Sequence, residues 1–437
     1  MARCAAAQSQ WQARPGGDRR RLDEGDGGMK PHGPIPPGFR ADPDGMLLIG
    51  GDRAESLADV AGDTPLFVYD SAMLAARAAE WRAAMPAAVQ LHYAMKANPY
   101  PPLLAFMAGL VDGFDVASGG ELKAALASGM DAAHISFAGP GKRDRELEAA
   151  LEAGATLNLE SAGEAERALA IAAHLGATPR LAVRVNPDFD LKGSGMKMGG
   201  GAKPFGVDAA AVPALVRRLI DAGADWRGFH IFAGSQALDA AAIAEMQAQT
   251  VALAARLADA IGTAPPLVNL GGGMGVPYFP GDTAVDAAAV GEALGETLAA
   301  RDAALADSRF AMELGRWLVA EAGVYLTRIV DRKVSHGETF LVTDGGLHHQ
   351  LAASGNFGTV IRRNYPIAVA NAFGREPVET VAVVGCLCTP LDRLGDQVAL
   401  PRADVGDLIA IFQAGAYGAS ASPAAFLGQG PARELLV

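Results

Sequence analysis

The sequence predicts an α/β protein, a (β/α)8 TIM barrel followed by a C-terminal, mostly antiparallel β-domain. Three observations carry that reading. Eight short β-like runs alternate with Ala/Leu-rich helical stretches between residues 89 and 314. Polar residues stand at or near the C-terminal ends of most of these runs, where a barrel gathers its chemistry. After residue 316 the helices stop and strand-like runs follow one another across turns.

The eight runs are 89–96, 110–117, 134–138, 156–160, 180–186, 228–233, 266–271 and 309–314. Helix formers dominate the segments between them, at 119–128, 144–153, 162–175, 209–222, 240–261 and 287–306. Such alternation excludes a sandwich or a bundle. A doubly wound open sheet has the same local pattern, and periodicity alone leaves it open. The strand ends favour the barrel, because Lys96, Asp115, Glu160, Arg184 with Asn186, His230, Asn269, and Glu313 with Arg316 then converge on one mouth.

These signals assign 66–316 to the barrel and 317–437 to the β-domain, with strands expected at 319–334, 339–343, 378–384 and 407–412. Residues 41–65 read as a strand-like lead-in that packs with the β-domain. Residues 1–40 read as a disordered tail: 14–37 is rich in Gly, Arg, Asp and Pro and lacks the apolar surface that offsets ordering entropy. Arg19, Arg20 and Arg21 have no apolar segment behind them, so the tail is not a secretory signal.

Half of the residues are hydrophobic, a fifth are charged, and the net charge of −12 argues against nucleic acid and anionic membrane surfaces as partners. No apolar run approaches the length that spans a bilayer. Of the three cysteines, Cys4 falls in the tail and Cys386 and Cys388 are one residue apart. That leaves no disulfide framework and no Cys/His set for a metal, and fits a reducing cytoplasm.

The first run is the most informative segment. Val89, Leu91, Tyr93 and Met95 alternate with Gln90, His92, Ala94 and Lys96, which places a lysine at the end of the strand on the face opposite its large apolar residues. A lysine among apolar neighbours costs free energy unless it is paired, neutral or bound as an imine. Gly271, Gly272 and Gly273 follow the seventh run, where backbone N–H groups can approach an anion and barrels often hold phosphate. Glu313 stands near the end of the eighth. An amine, a phosphate cradle and an acid are the parts needed to hold pyridoxal 5'-phosphate.

Further motifs extend this reading: Tyr93-Ala94-Met95-Lys96-Ala97-Asn98, Gly113-Phe114-Asp115-Val116-Ala117-Ser118-Gly119-Gly120-Glu121, Arg184-Val185-Asn186-Pro187, Glu313-Leu314-Gly315-Arg316, Gly385-Cys386-Leu387-Cys388-Thr389-Pro390-Leu391-Asp392 and Gly415-Ala416-Tyr417. From about residue 64 to 420 the chain resembles the alanine-racemase-type (fold-type III) pyridoxal-phosphate enzymes, and among them the decarboxylases of diaminopimelate, ornithine and arginine. The resemblance implies that Lys96 is the Schiff-base lysine, that His230 stacks on the cofactor ring, and that Ser235, Gly271, Gly272, Gly273, Gly315, Arg316 and Tyr417 hold the phosphate end. It places Arg184 near the phenolic oxygen and Asp115 in the cofactor-side shell. Cys388 and Asp392 correspond to residues a partner subunit contributes, so a homodimer with shared active sites is implied, with Cys388 as proton donor. Glu313 matches the acid that keeps the pyridine nitrogen protonated; racemases of this fold place an arginine there, so Glu313 with Cys388 favours decarboxylation over racemisation.

The departures bear on substrate. Diaminopimelate decarboxylases usually carry a glutamate after the reactive cysteine to hold a distal ammonium, and here Thr389 follows Cys388. The His-to-Ser motif is two residues longer, His230 to Ser235, and the segment from Gly355 to Pro366 replaces the usual specificity segment. Arg362 and Arg363 within it are candidate substrate contacts, with Tyr417. These features resemble the subgroup associated with exosortase and exopolysaccharide systems, or relatives acting on an aminoacyl group tethered to an acyl-carrier protein. The substrate expected is thus an amino acid or an aminoacyl-carrier protein. Diaminopimelate decarboxylation is the alternative, followed by a racemase and a non-catalytic cofactor-binding protein.

Overall fold

The computed structural model describes residues 29–193, 195–355 and 363–437. Eight parallel strands, Val89–Ala94, Gly113–Val116, Ile135–Phe137, Thr156–Leu159, Arg180–Asn186, Asp225–Ile231, Leu267–Asn269 and Arg309–Leu314, form the central sheet. The last pairs with the first, with Phe310 opposite Val89 and Glu313 opposite His92, so the sheet closes. Closure decides for the barrel over the open sheet. Register then fixes the site, because Ala94 lies opposite Asp115 and His230 lies between Arg184 and Asn269.

Local chemistry starts and stops the helices where the mouth needs them. Ser118 and Ser161 accept hydrogen bonds from the Glu121 and Glu164 N–H groups two residues after their strands end. Each such cap stabilises its helix by about 1 kcal/mol. Helices Asp144–Ala153, Ala162–Leu175 and Ala240–Ile261 end as expected, at Gly154, Gly176 and Gly262 in the left-handed conformation that glycine tolerates.

Four boundaries differ from the sequence reading. The first strand ends at Ala94, and Met95–Ala97 forms a 3-10 turn. Pro99 disfavours helical backbone at Asn98, whose N–H returns to the Met95 carbonyl, so a turn rather than the strand presents Lys96. Leu66–Tyr69, expected to open the barrel, instead pairs with Gly323–Ser335 and Arg433–Leu436 of the β-domain. The lead-in includes the helix Ala54–Ala61, whose Leu57 and Ala58 join Leu66, Val68, Val324 and Phe412 in a second core. Residues 29–40 of the expected tail are seated on the β-domain: Phe39 packs 5.0 Å from Phe412, and Lys30 pairs with Asp396.

The β-domain sheet runs Ile367–Val369, Leu408–Ile411, Gly323–Ser335, Glu338–Thr343, Glu379–Val384 and Arg393–Leu400, antiparallel except where Glu338–Thr343 meets Glu379–Val384. Arg393–Leu400 escaped the sequence reading because Gly395 and Asp396 interrupt its alternation, and its pairing is bulged there. No described helix is long and apolar enough to cross a membrane.

Candidate active site

Lys96 stands in the barrel mouth with its side chain 47% exposed and its Nζ 3.6 Å from Glu313 Oε1. Desolvation works against its charge, but Glu313 and then Tyr417 outweigh it, and the ammonium is held above its ordinary pKa. Glu313 is buried. Burial alone raises a carboxyl pKa, yet the Lys96 ammonium, the His230 hydrogen bond and Arg184 together pull Glu313 down to about 2. His230 Nε2 donates to Glu313 Oε2 at 2.7 Å. A carboxylate only accepts, so the proton sits on Nε2.

Around this group lie three further charged pairs. Arg184 donates to Glu160 at 3.0 Å, and Glu160 also accepts from the backbone of Gly139 and Gly206. Lys142, buried, pairs with Glu164 at 2.7 Å. Asp115 lies 3.4 Å from His92 Nδ1, and both of its oxygens are buried without a hydrogen bond among the described residues. A cavity of about 150 Å³ is lined by Lys96, Asp115, Arg184, His230, Phe232 and Glu313.

The glycine loop packs directly on this wall. A Cβ on Gly272 would fall 2.0 Å from the Glu313 carbonyl oxygen, so only glycine fits. Asn269 accepts from the Gly271 N–H, and Ala237 N–H donates to Gly273 O, which seats Gly234–Ser235 beside the loop. Gly315 lets the chain turn against Ala94 and start the short helix Arg316–Val319. Arg316 donates to the Tyr278 hydroxyl at 2.8 Å and lies 4.6 Å over the Tyr417 ring. Tyr417 is tied to Lys96's turn by its N–H to Ala97 O.

Pyridoxal phosphate fits these residues. Asp115, His230 Nδ1 and Arg316 Nε offer buried polar atoms that make no hydrogen bond among the described residues, beside a lysine amine and a cradle free of Cβ atoms.

Other sequence candidates lie elsewhere in the chain. Cys388 is exposed on a β-domain turn, and Asp392 is buried beneath it, accepting from the Leu347 and Leu387 N–H groups at 2.6 and 2.9 Å. Neither lines the Lys96 cavity. Arg363 stacks 3.8 Å over Phe279, outside that cavity, and Arg362 lies outside the described residues. Sequence reasoning missed Tyr278, Phe232, His92 and Lys142. His92 lies on the strand whose following turn carries Lys96 and was open to detection; Tyr278, Phe232 and Lys142 sit outside the strands and helices, where spacing carries no signal.

Residues 71–320 match the family described as pyridoxal-dependent decarboxylase, pyridoxal binding domain. The chain belongs to the pyridoxal-dependent decarboxylases. It is 36% identical over 380 residues to L-glutamyl-(BtrI acyl-carrier protein) decarboxylase of Niallia circulans, covering 86% of this chain and 89% of that one. It is 30% identical over 397 residues to diaminopimelate decarboxylase of Methanothermobacter thermautotrophicus, covering 88% and 89%. The solved diaminopimelate decarboxylase of M. jannaschii, in complex with L-lysine, superposes with a TM-score of 0.82 at 26% identity over 91% of this chain and 92% of that one. This decarboxylase is thus a pyridoxal-phosphate-dependent carboxy-lyase with the barrel-plus-β-domain fold.

Proposed function

We propose that this decarboxylase removes the α-carboxylate of an aminoacyl group tethered to an acyl-carrier protein, working in the cytoplasm as a homodimer with shared sites. The observation that carries the substrate reading is Thr389. A glutamate there would pair with a distal ammonium, whereas a threonine suits an uncharged distal end. The L-glutamyl-carrier relative at 36% identity supports the same reading. Loss of the α-carboxylate requires that carboxylate to be free, so the carrier is joined through the side-chain carboxyl and the distal end is a neutral acyl link.

Pyridoxal phosphate, when bound, supplies an electron sink for the pair left on Cα as the carboxylate departs. Lys96 holds the cofactor by its amine. Glu313, ionised and fixed by the His230 N–H, would keep a proton on the cofactor's ring nitrogen. Asp115 and Arg184 would line the ring pocket, and the glycine loop Gly271, Gly272 and Gly273 with Ser235, Gly315, Arg316 and Tyr417 would hold the phosphate end, the Gly271 N–H being taken by Asn269. Cys388 of the partner subunit donates the proton that replaces the carboxylate. Asp392 fastens the turn that presents it, through two backbone N–H groups. Arg363 stands ready to contact substrate or carrier.

The test is Thr389→Glu. A charge-assisted contact to a distal ammonium contributes about 1.5–3 kcal/mol, so kcat/KM for meso-diaminopimelate should rise about tenfold or more. No rise, in a variant that still binds cofactor, refutes the assignment of this position.

A further inference from the structure

The end of the barrel remote from Lys96 has its own charged cavity, of about 240 Å³. Three arginines from three strand starts meet there. Arg180 opens Arg180–Asn186, Arg309 opens Arg309–Leu314, and Arg227 lies near the start of Asp225–Ile231. Buried polar residues, among them His92, Asn158 and Asn269, line the cavity with them.

These guanidinium groups are poorly neutralised. Arg180 donates one N–H to Ala133 O, while its Nε is buried without a hydrogen bond among the described residues. Arg227 reaches Asp225 only at 3.4 Å. Arg309 is exposed and its side chain has no ion pair among the described residues. Burial first, and then repulsion from Arg227, hold the Arg180 pKa below its ordinary value; Asp225 and Asp131 oppose this, and Arg309 adds a smaller repulsion. Three cations thus face two carboxylates in a chain whose net charge is −12. Such a concentration of one sign attracts its counter-ion. Guanidinium forks match phosphate oxygens bidentately. The cavity is smaller than the roughly 300 Å³ at which drug-sized pockets begin, so the occupant is small.

We propose that this cavity is a binding site for a small phosphate-bearing anion, free phosphate or a phosphomonoester, separate from the glycine loop at the opposite end of the barrel. The test uses holoenzyme saturated with pyridoxal phosphate, so that the cofactor's own cradle is filled. Calorimetric titration with inorganic phosphate should show one site per chain, weakened about tenfold by Arg309→Ala or by Arg180→Ala, as expected for loss of one charge-assisted contact. Phosphate should raise the Tm of the wild type more than that of either variant, and acetate, with one charge, should do so less. Tighter binding of glycerol phosphate than of phosphate identifies a phosphomonoester as the occupant; the reverse identifies free phosphate. Arg309 is exposed at a strand start, so Arg309→Ala should fold. No phosphate binding to holoenzyme, or binding unchanged in both variants, overturns the proposal.

Discussion

Replacing Glu313 by glutamine separates charge from shape at the centre of the site. Glutamine keeps the volume and an oxygen that accepts the His230 N–H, now 2.7 Å from the carboxylate. It removes a negative charge that Lys96, His230 and Arg184 stabilise strongly enough, despite burial, to bring the pKa to about 2. A neutral amide gives no electrostatic hold on a pyridine proton, and loss of one preorganised contact of this kind costs about 2.7–4 kcal/mol, or 10²–10³ in kcat. Cofactor affinity rests on Lys96 and the phosphate cradle, so its Kd should change less than tenfold, about 1.4 kcal/mol. The assay is carbon dioxide release under saturating cofactor, paired with a fluorescence titration of cofactor binding. Turnover within a fewfold of wild type would show that Glu313 does not hold the ring proton. With its depressed pKa, Glu313 keeps its charge as pH falls from 4.5 towards 2, so an acid limb of activity above about pH 4 belongs to another group.

Lys96→Ala should abolish the visible absorbance of bound cofactor, and borohydride reduction followed by peptide mapping should label Lys96; a label on another lysine would refute the assignment. Mixing inactive Lys96→Ala and Cys388→Ala chains should restore up to about a quarter of wild-type activity if subunits exchange at random, since heterodimers contain one intact site; no recovery despite proven exchange rejects the shared site. His349, held neutral by burial and by His348, has its pKa lowered to about 4. Its folded pKa lies below the unfolded 6.5, so the stability it contributes is present above pH 6.5 and lost as pH falls towards 4, at most roughly 3 kcal/mol. Urea denaturation at pH 7 and pH 4 should therefore show a smaller acid loss in His349→Gln than in wild type, and equal losses would contradict it.

The barrel was legible because its strands carry local signals. Alternation in Val89–Ala94, and the regular succession of short β-like runs and Ala/Leu-rich helical stretches, mark elements whose neighbours in space follow from chain order. Lys96, Glu313 and the three glycines stood out because each lies at or just beyond the end of such an element. Leu66–Tyr69 was misassigned because its partners, Gly323–Ser335 and Arg433–Leu436, lie some 250 and 370 residues away, and no local pattern reports that pairing. Tyr278 was missed for a related reason: its hydrogen bond to Arg316 is set by tertiary placement of a loop. The seated residues 29–40 show that a Gly/Pro-rich segment can order when a single aromatic, Phe39, finds a core to enter.

The most direct measurement compares carbon dioxide release from an L-glutamyl group joined through its side-chain carboxyl to an acyl-carrier protein with release from meso-diaminopimelate, on the same holoenzyme. With Thr389 in place of a carboxylate, kcat/KM for the tethered substrate should exceed that for diaminopimelate by about tenfold or more. Efficient turnover of diaminopimelate with none of the tethered glutamyl group would contradict the carrier-linked reading.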